Sequence, residues 1–146
     1  MFERLSTAIL KRATLAAILG GSLVAQAVAA QTPPPINEEQ HINDSLLAAA
    51  VGAMILRDCS TIFPRYLVIK GKVDALEEYA LGQGYTEEQI EAFLDDKDER
   101  KRMRKLANTY LRDHGVVKDD PETFCALGRD EIAKGTLTGE MIWSLK

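Results

Sequence analysis

The side chains able to do chemistry are few. Two cysteines, Cys59 and Cys125, stand 66 positions apart, with neither the Cys-x-x-Cys spacing of a redox pair nor the following His of a haem attachment site. In an oxidising compartment an isolated pair of this kind reads as a disulfide, worth roughly 4 kcal/mol in the chain-entropy model for a loop of this length. The two histidines, His41 and His114, fall on different predicted helices. His41 with Glu38 and Asp44 has a spacing that would offer a metal three side chains on one helix face, but such triplets arise by chance at helix starts, and no metal or other cofactor is expected. No Gly-x-Ser-x-Gly and no His-Glu-x-x-His occurs, so the common nucleophile and metallo-hydrolase arrangements are missing. The carboxylate pairs Asp95–Asp96 and Asp119–Asp120 sit at predicted helix ends, where capping explains them, and no catalytic residue is assigned.

The densest charge lies in residues 95–105, DDKDERKRMRK, acid first and base second. On a helix this sets Asp96 against Arg100 and Asp98 against Arg102 at spacing four, the favourable order for ion pairs. The plain reading is a solvated face that pairs with itself. The sharper one is that Arg100, Lys101, Arg102, Arg104 and Lys105 dock an anionic partner, either a phospholipid head group or an acidic protein.

Helices must position these groups. Residues 46–56, LLAAAVGAMIL, carry no charge, and a helix apolar on every side is expected to be buried on every side. It serves as the central helix, running from an N-cap at Asn37, with Gln40 three residues on, to about Cys59. Pro64 fits the first turn of a second helix, whose apolar stripe is Tyr66, Ile69, Val73, Leu76 and Ala80, ended by Gly82 and Gly84. Thr86-Glu87-Glu88-Gln89 is a capping box, with Tyr85 and Ile90 placed as a hydrophobic staple. The apolar residues Ile90, Phe93 and Leu94 do not line up with Met103, Leu106, Ala107 and Tyr110. A break near Asp95 to Asp98, with Asp96 or Asp98 capping the second half, is therefore expected. His114-Gly115 closes that segment. Asp119-Asp120-Pro121-Glu122 opens the next helix, which reaches about Lys134, stops at Gly135, and turns Phe124, Cys125, Gly128 and Ile132 inward. A short last helix from Thr138 would bury Met141, Ile142 and Leu145 and leave Trp143 partly exposed. No strand is expected. The fold class is all-α: a small bundle of four to five helices around a central apolar helix, with one long-range disulfide.

The first thirty residues read as an export signal. Arg4, Lys11 and Arg12 precede an apolar run, Ala13 to Ala25, and a small-residue end, Ala27-Val28-Ala29-Ala30, with cleavage expected near Ala29 or Ala30. The apolar run is short of the ~20 residues of a spanning helix. The expected organisation is a signal over 1–30, a proline-rich spacer over 31–36 and one helical domain over 37–146. Without Arg4, Lys11, Arg12 and Glu3, the remaining 116 residues hold 15 basic and 21 acidic side chains, a formal charge of −6. That balance argues against nucleic-acid binding and, with no second long apolar run, against stable membrane insertion after signal removal. A periplasmic or secreted location is expected.

Residues 125–142, CALGRDEIAKGTLTGEMI, together with Cys59 and the GYTEEQIEAFL at 84–94, resemble a family of small exported alphaproteobacterial proteins known only as a domain of unknown function. Its most specific text is Cys-x-x-Gly-x-x-Glu-Ile-Ala-x-Gly-Thr. The resemblance implies an exported, two-cysteine, helical protein and no particular activity. An architectural likeness to small acid-activated periplasmic chaperones is not matched by motif. The expected function is a non-enzymatic binding or envelope-accessory module with an unknown protein partner in the cell envelope. The alternatives are an acid-responsive chaperone-like protein and, behind it, a carboxylate-dependent hydrolase.

Overall fold

The computed structural model describes residues 32–145, so the predicted export signal lies outside the described residues. After a 3-10 turn at Ile36–Glu38 come helix α1 (Gln40–Asp58), strand β1 (Ile62–Pro64), α2 (Tyr66–Gly82), α3 (Glu87–Asp95), α4 (Lys97–Asp113), α5 (Pro121–Lys134), the single turn α6 (Leu137–Glu140) and strand β2 (Ile142–Ser144). The described residues are mostly helical, with one small antiparallel pair in which Ile62 faces Ser144 and Pro64 faces Ile142. Cys59 and Cys125 form the disulfide, with an S–S distance of 2.00 Å.

Local chemistry explains most boundaries. The capping box at Thr86 is complete, with the Thr86 hydroxyl accepting from Gln89 N–H and the Gln89 side chain accepting from Thr86 N–H. Asp96 breaks the charged segment as expected. It ends α3 and caps α4, one carboxylate oxygen accepting from the N–H groups of Asp98 and Glu99, each at 2.8 Å. Asp120 caps α5 ahead of Pro121, and Gly135 closes that helix in the left-handed conformation at φ 62°.

Several expectations are corrected. The cap of α1 is Glu39, whose carboxylate accepts from Ile42 N–H at 2.7 Å. Asn37 lies in the preceding turn and donates to Glu99 instead. Pro64 ends β1 rather than opening α2, a position where a missing N–H is tolerated on a two-stranded edge. The last helix is capped by Thr136, not Thr138, and lasts one turn because the chain then extends to pair with β1. Met141 and Ile142 are buried and Trp143 is partly exposed as expected, but Leu145 is exposed.

The core has two parts. The larger joins Val51, Ile55 and Cys59 to Ile62, Ala107, Leu111, Phe124, Cys125, Leu127 and Ile142. The smaller joins Ile42, Ala80 and Tyr85, with Leu46, Leu76 and Ile90 packed against it. α1 contributes to both, so it is the hub. It is not enclosed on all sides, however: Ala49 and Ala53 are exposed.

Candidate functional site

The expected basic patch divides in two. Arg100 donates to the Asp95 backbone carbonyl at 2.9 Å and lies 3.7 Å from its carboxylate. Arg102 bonds Glu99 and, across to α1, the Asn43 side chain, each at 2.6 Å. The spacing-four pairs expected from sequence do not form with Asp96, because its carboxylate is occupied as a cap. Lys101, Arg104 and Lys105 remain exposed on the outer face of α4, without an ion pair or hydrogen bond from their side chains among the described residues.

The histidines stay apart. The His41 ring meets Tyr79 edge-on, with centroids 4.5 Å apart. His114 stacks on Tyr110 at 3.9 Å, with Nδ1 2.8 Å from the Tyr110 carbonyl oxygen. Of Glu38, His41, Asp44, Asp119 and Asp120, only the last two share a depression, an open space of about 510 Å³ also lined by Arg57, Asp58 and Lys118. Asp120 is engaged there as the α5 cap, and Asp58 is paired with Arg57, which holds its carboxyl below the usual range. Among the described residues no three potential metal ligands of the His, Cys, Asp or Glu type converge.

One buried acid was not singled out from sequence. Glu131 is 1% exposed and forms no ion pair among the described residues; its carboxylate accepts from the Tyr110 hydroxyl at 2.6 Å and from the Thr136 hydroxyl. Burial first, and then Glu131 itself, push Tyr110 up to about 12. The signal was present: Cys125, Gly128 and Glu131 recur at spacing three, so the helix face that buries the cysteine buries the acid too. The Cys-x-x-Gly-x-x-Glu-Ile-Ala-x-Gly-Thr run is thereby accounted for as structure. Gly128 lets α1 and β1 approach, since a Cβ there would lie 2.9 Å from Ile55 Cγ2 and 3.1 Å from Ile62 Cγ1. Gly135 turns the chain, and Thr136 caps α6 through Gly139 N–H at 3.0 Å.

An apolar concave feature lies elsewhere. α2 carries the predicted apolar stripe, yet Tyr66 is 77% and Val73 58% exposed, and Ala80 alone is buried. The far end of α2 is tied down. The Tyr79 hydroxyl donates to Glu39 at 2.9 Å, and just past the helix the Tyr85 hydroxyl donates to the Pro34 carbonyl at 2.7 Å. Burial works against the Glu39 charge, but bonds from Ile42 N–H and the Tyr79 hydroxyl outweigh it and hold the carboxyl below the usual range. Between these ties and the open part of the helix lies a groove of about 470 Å³. Ile42 and Leu46 come from α1, Val73 and Leu76 from α2, and Phe93 and Leu94 from α3. A second apolar groove of about 240 Å³ adjoins it, sharing Leu46, Val73 and Leu76 and running between Ala49, Ile69 and Leu137.

These features define a small helical domain, pinned by one disulfide, with an open apolar groove between α1, α2 and α3. The chain belongs to a family of unknown function, DUF5333, whose model matches residues 34–143. No curated protein and no solved structure matches it.

Proposed function

We propose that the protein is an exported, non-enzymatic accessory module of the cell envelope that binds a partner protein by taking an apolar segment into the groove between α1, α2 and α3. The observation that carries this reading is the half-open stripe of α2. A helix held in place along its length, with Val73 and Leu76 left bordering a concave apolar space, has the form of a helix-in-groove receptor. The groove is open in the folded state, so binding requires no acid-driven loosening of the kind a chaperone would use. The placement of titratable groups as caps and surface pairs favours binding over catalysis. Export is supported by the basic, apolar and small-residue order of residues 1–30 and by a disulfide suited to an oxidising compartment. No helix among the described residues is long and apolar enough to cross a membrane.

A photoreactive amino acid placed at Val73, and separately at Lys105, in the full chain expressed in its native cells tests the reading. A discrete crosslinked partner in the envelope fraction is expected from Val73 and not from Lys105. Crosslinks from Lys105 alone would move the binding face to the free cations of α4 and overturn the groove. No crosslink from Val73 would overturn it as well.

A further inference from the structure

Resting on that reading of the groove, we propose that its occupant is a cationic amphipathic helix, with apolar residues at helical spacing flanked by Lys or Arg. Three carboxylates choose the charge. Glu77 of α2 and Glu87 and Glu91 of α3 line the same groove as Leu46, Val73 and Leu94. All three are exposed, and none forms an ion pair or a side-chain hydrogen bond among the described residues. Other acids of this surface are matched locally, as Asp74 is with Lys70 and Glu140 with Lys72, and some, such as Asp44, Glu78 and Glu88, stand as free as these three. What sets Glu77, Glu87 and Glu91 apart is their place on the rim of an apolar groove. The groove itself is lined by no Lys or Arg. Arg100, just beyond Leu94, is taken by Asp95.

Glu87 and Glu91 stand four apart on one helix, a like-charge spacing that disfavours the helix unless a cation comes between them. Apolar walls beneath the rim strengthen its field, because low-dielectric surroundings focus it into the groove. A helix presenting apolar side chains at i, i+3, i+4 and i+7 fills such a space, and basic residues beside them meet the rim. The same rim repels an acidic helix and an anionic lipid surface.

Three synthetic peptides of about sixteen residues separate the possibilities. One has a Leu face with Lys flanks, the second the same Leu face with Glu flanks, and the third Lys flanks with Ser in place of Leu. Each is titrated by fluorescence anisotropy against the disulfide-bonded protein. The Leu/Lys peptide is expected to bind about tenfold or more tightly than Leu/Glu, and Ser/Lys not measurably. Glu77→Gln, Glu87→Gln and Glu91→Gln together should bring Leu/Lys down to the Leu/Glu level. Val73→Ser with Leu94→Ser, both at exposed positions, should weaken both Leu peptides. Equal binding of Leu/Lys and Leu/Glu overturns the charge inference and leaves the groove standing. Ser/Lys binding as tightly as Leu/Lys, binding that survives Val73→Ser with Leu94→Ser, or no binding of either Leu peptide overturns both.

Discussion

Glu131 illustrates how an acidic side chain can be a structural part without an ion pair among the described residues. Two hydroxyl donors, from Tyr110 on α4 and Thr136 after α5, hold its carboxylate inside the fold. Removing one donor leaves a buried acceptor unsatisfied, so Tyr110→Phe should lower stability by about 1–3 kcal/mol, read from the urea midpoint at neutral pH. Linkage gives the same contact a pH signature. Tyr110 is raised from 10.0 to about 12, so the folded state holds this proton more tightly than the unfolded state does. Its contribution is complete below pH 10.0 and is lost as pH rises towards about 12. Tyr110→Phe should therefore flatten part of the alkaline decline. Tyr79, raised by its bond to Glu39, Tyr85, raised by burial, and Lys134, raised by its bond to Asp130, share in the rest. An alkaline stability profile identical in the variant would contradict this account. The acid was hidden from a reading by residue type, which sends Glu outward, while the spacing from Cys125 pointed inward.

At the scale of elements, helix starts and stops were the most legible feature, because caps are local chemistry. Thr86, Asp96, Asp120 and Gly135 act where the sequence places them. Asp96→Ala removes two bonds to the first turn of α4, and a loss of about 1 kcal/mol is expected by thermal unfolding. Asp98→Ala, which removes no cap, should cost less. Helix packing was less legible. Gly52 and Gly128 look equivalent in sequence, both being glycines within helices. A Cβ on Gly52 would meet Thr138 Cγ2 at 3.7 Å, an ordinary contact, whereas one on Gly128 would press on Ile55 and Ile62. Gly52→Ala should thus be neutral or stabilising by up to about 1 kcal/mol, from helix propensity. Gly128→Ala should destabilise by about 1–3 kcal/mol, from overpacking. Denaturant melts of the pair decide it, and equal effects would refute the packing argument. The strands were invisible because three residues are too few to show alternation, and Pro64 carries an equally good helix-start meaning. The groove was invisible for a different reason. Periodicity shows that α2 has an apolar face, but not that its neighbours leave that face half uncovered.

For the molecule as a whole, the disulfide and the larger core cluster coincide. Cys59 and Cys125 are 2% and 5% exposed and sit among Val51, Ile55 and Ile142. α1 contributes to both core parts, and α2 and α3, which frame the groove, supply Ala80, Leu76, Tyr79 and Ile90 to the smaller one. Of the fold, the helical class, the disulfide and the break at Asp96 could be read from the chain; the partition of the core depends on contacts between residues far apart. Those distant contacts also set an order in time. β1 pairs with β2, and the Thr138 hydroxyl reaches the Ala48 carbonyl across 90 positions at 3.0 Å. A polypeptide emerging from its N-terminal side, from a ribosome or through a narrow export channel, holds α1 and β1 ready long before their partners exist. Removing residues 136–146 should leave helical content without cooperative unfolding, as circular dichroism during a melt would show. Ile142, buried at 0% exposure, is the last residue of the larger core cluster to be made, and the cooperativity of the whole is expected to wait for it.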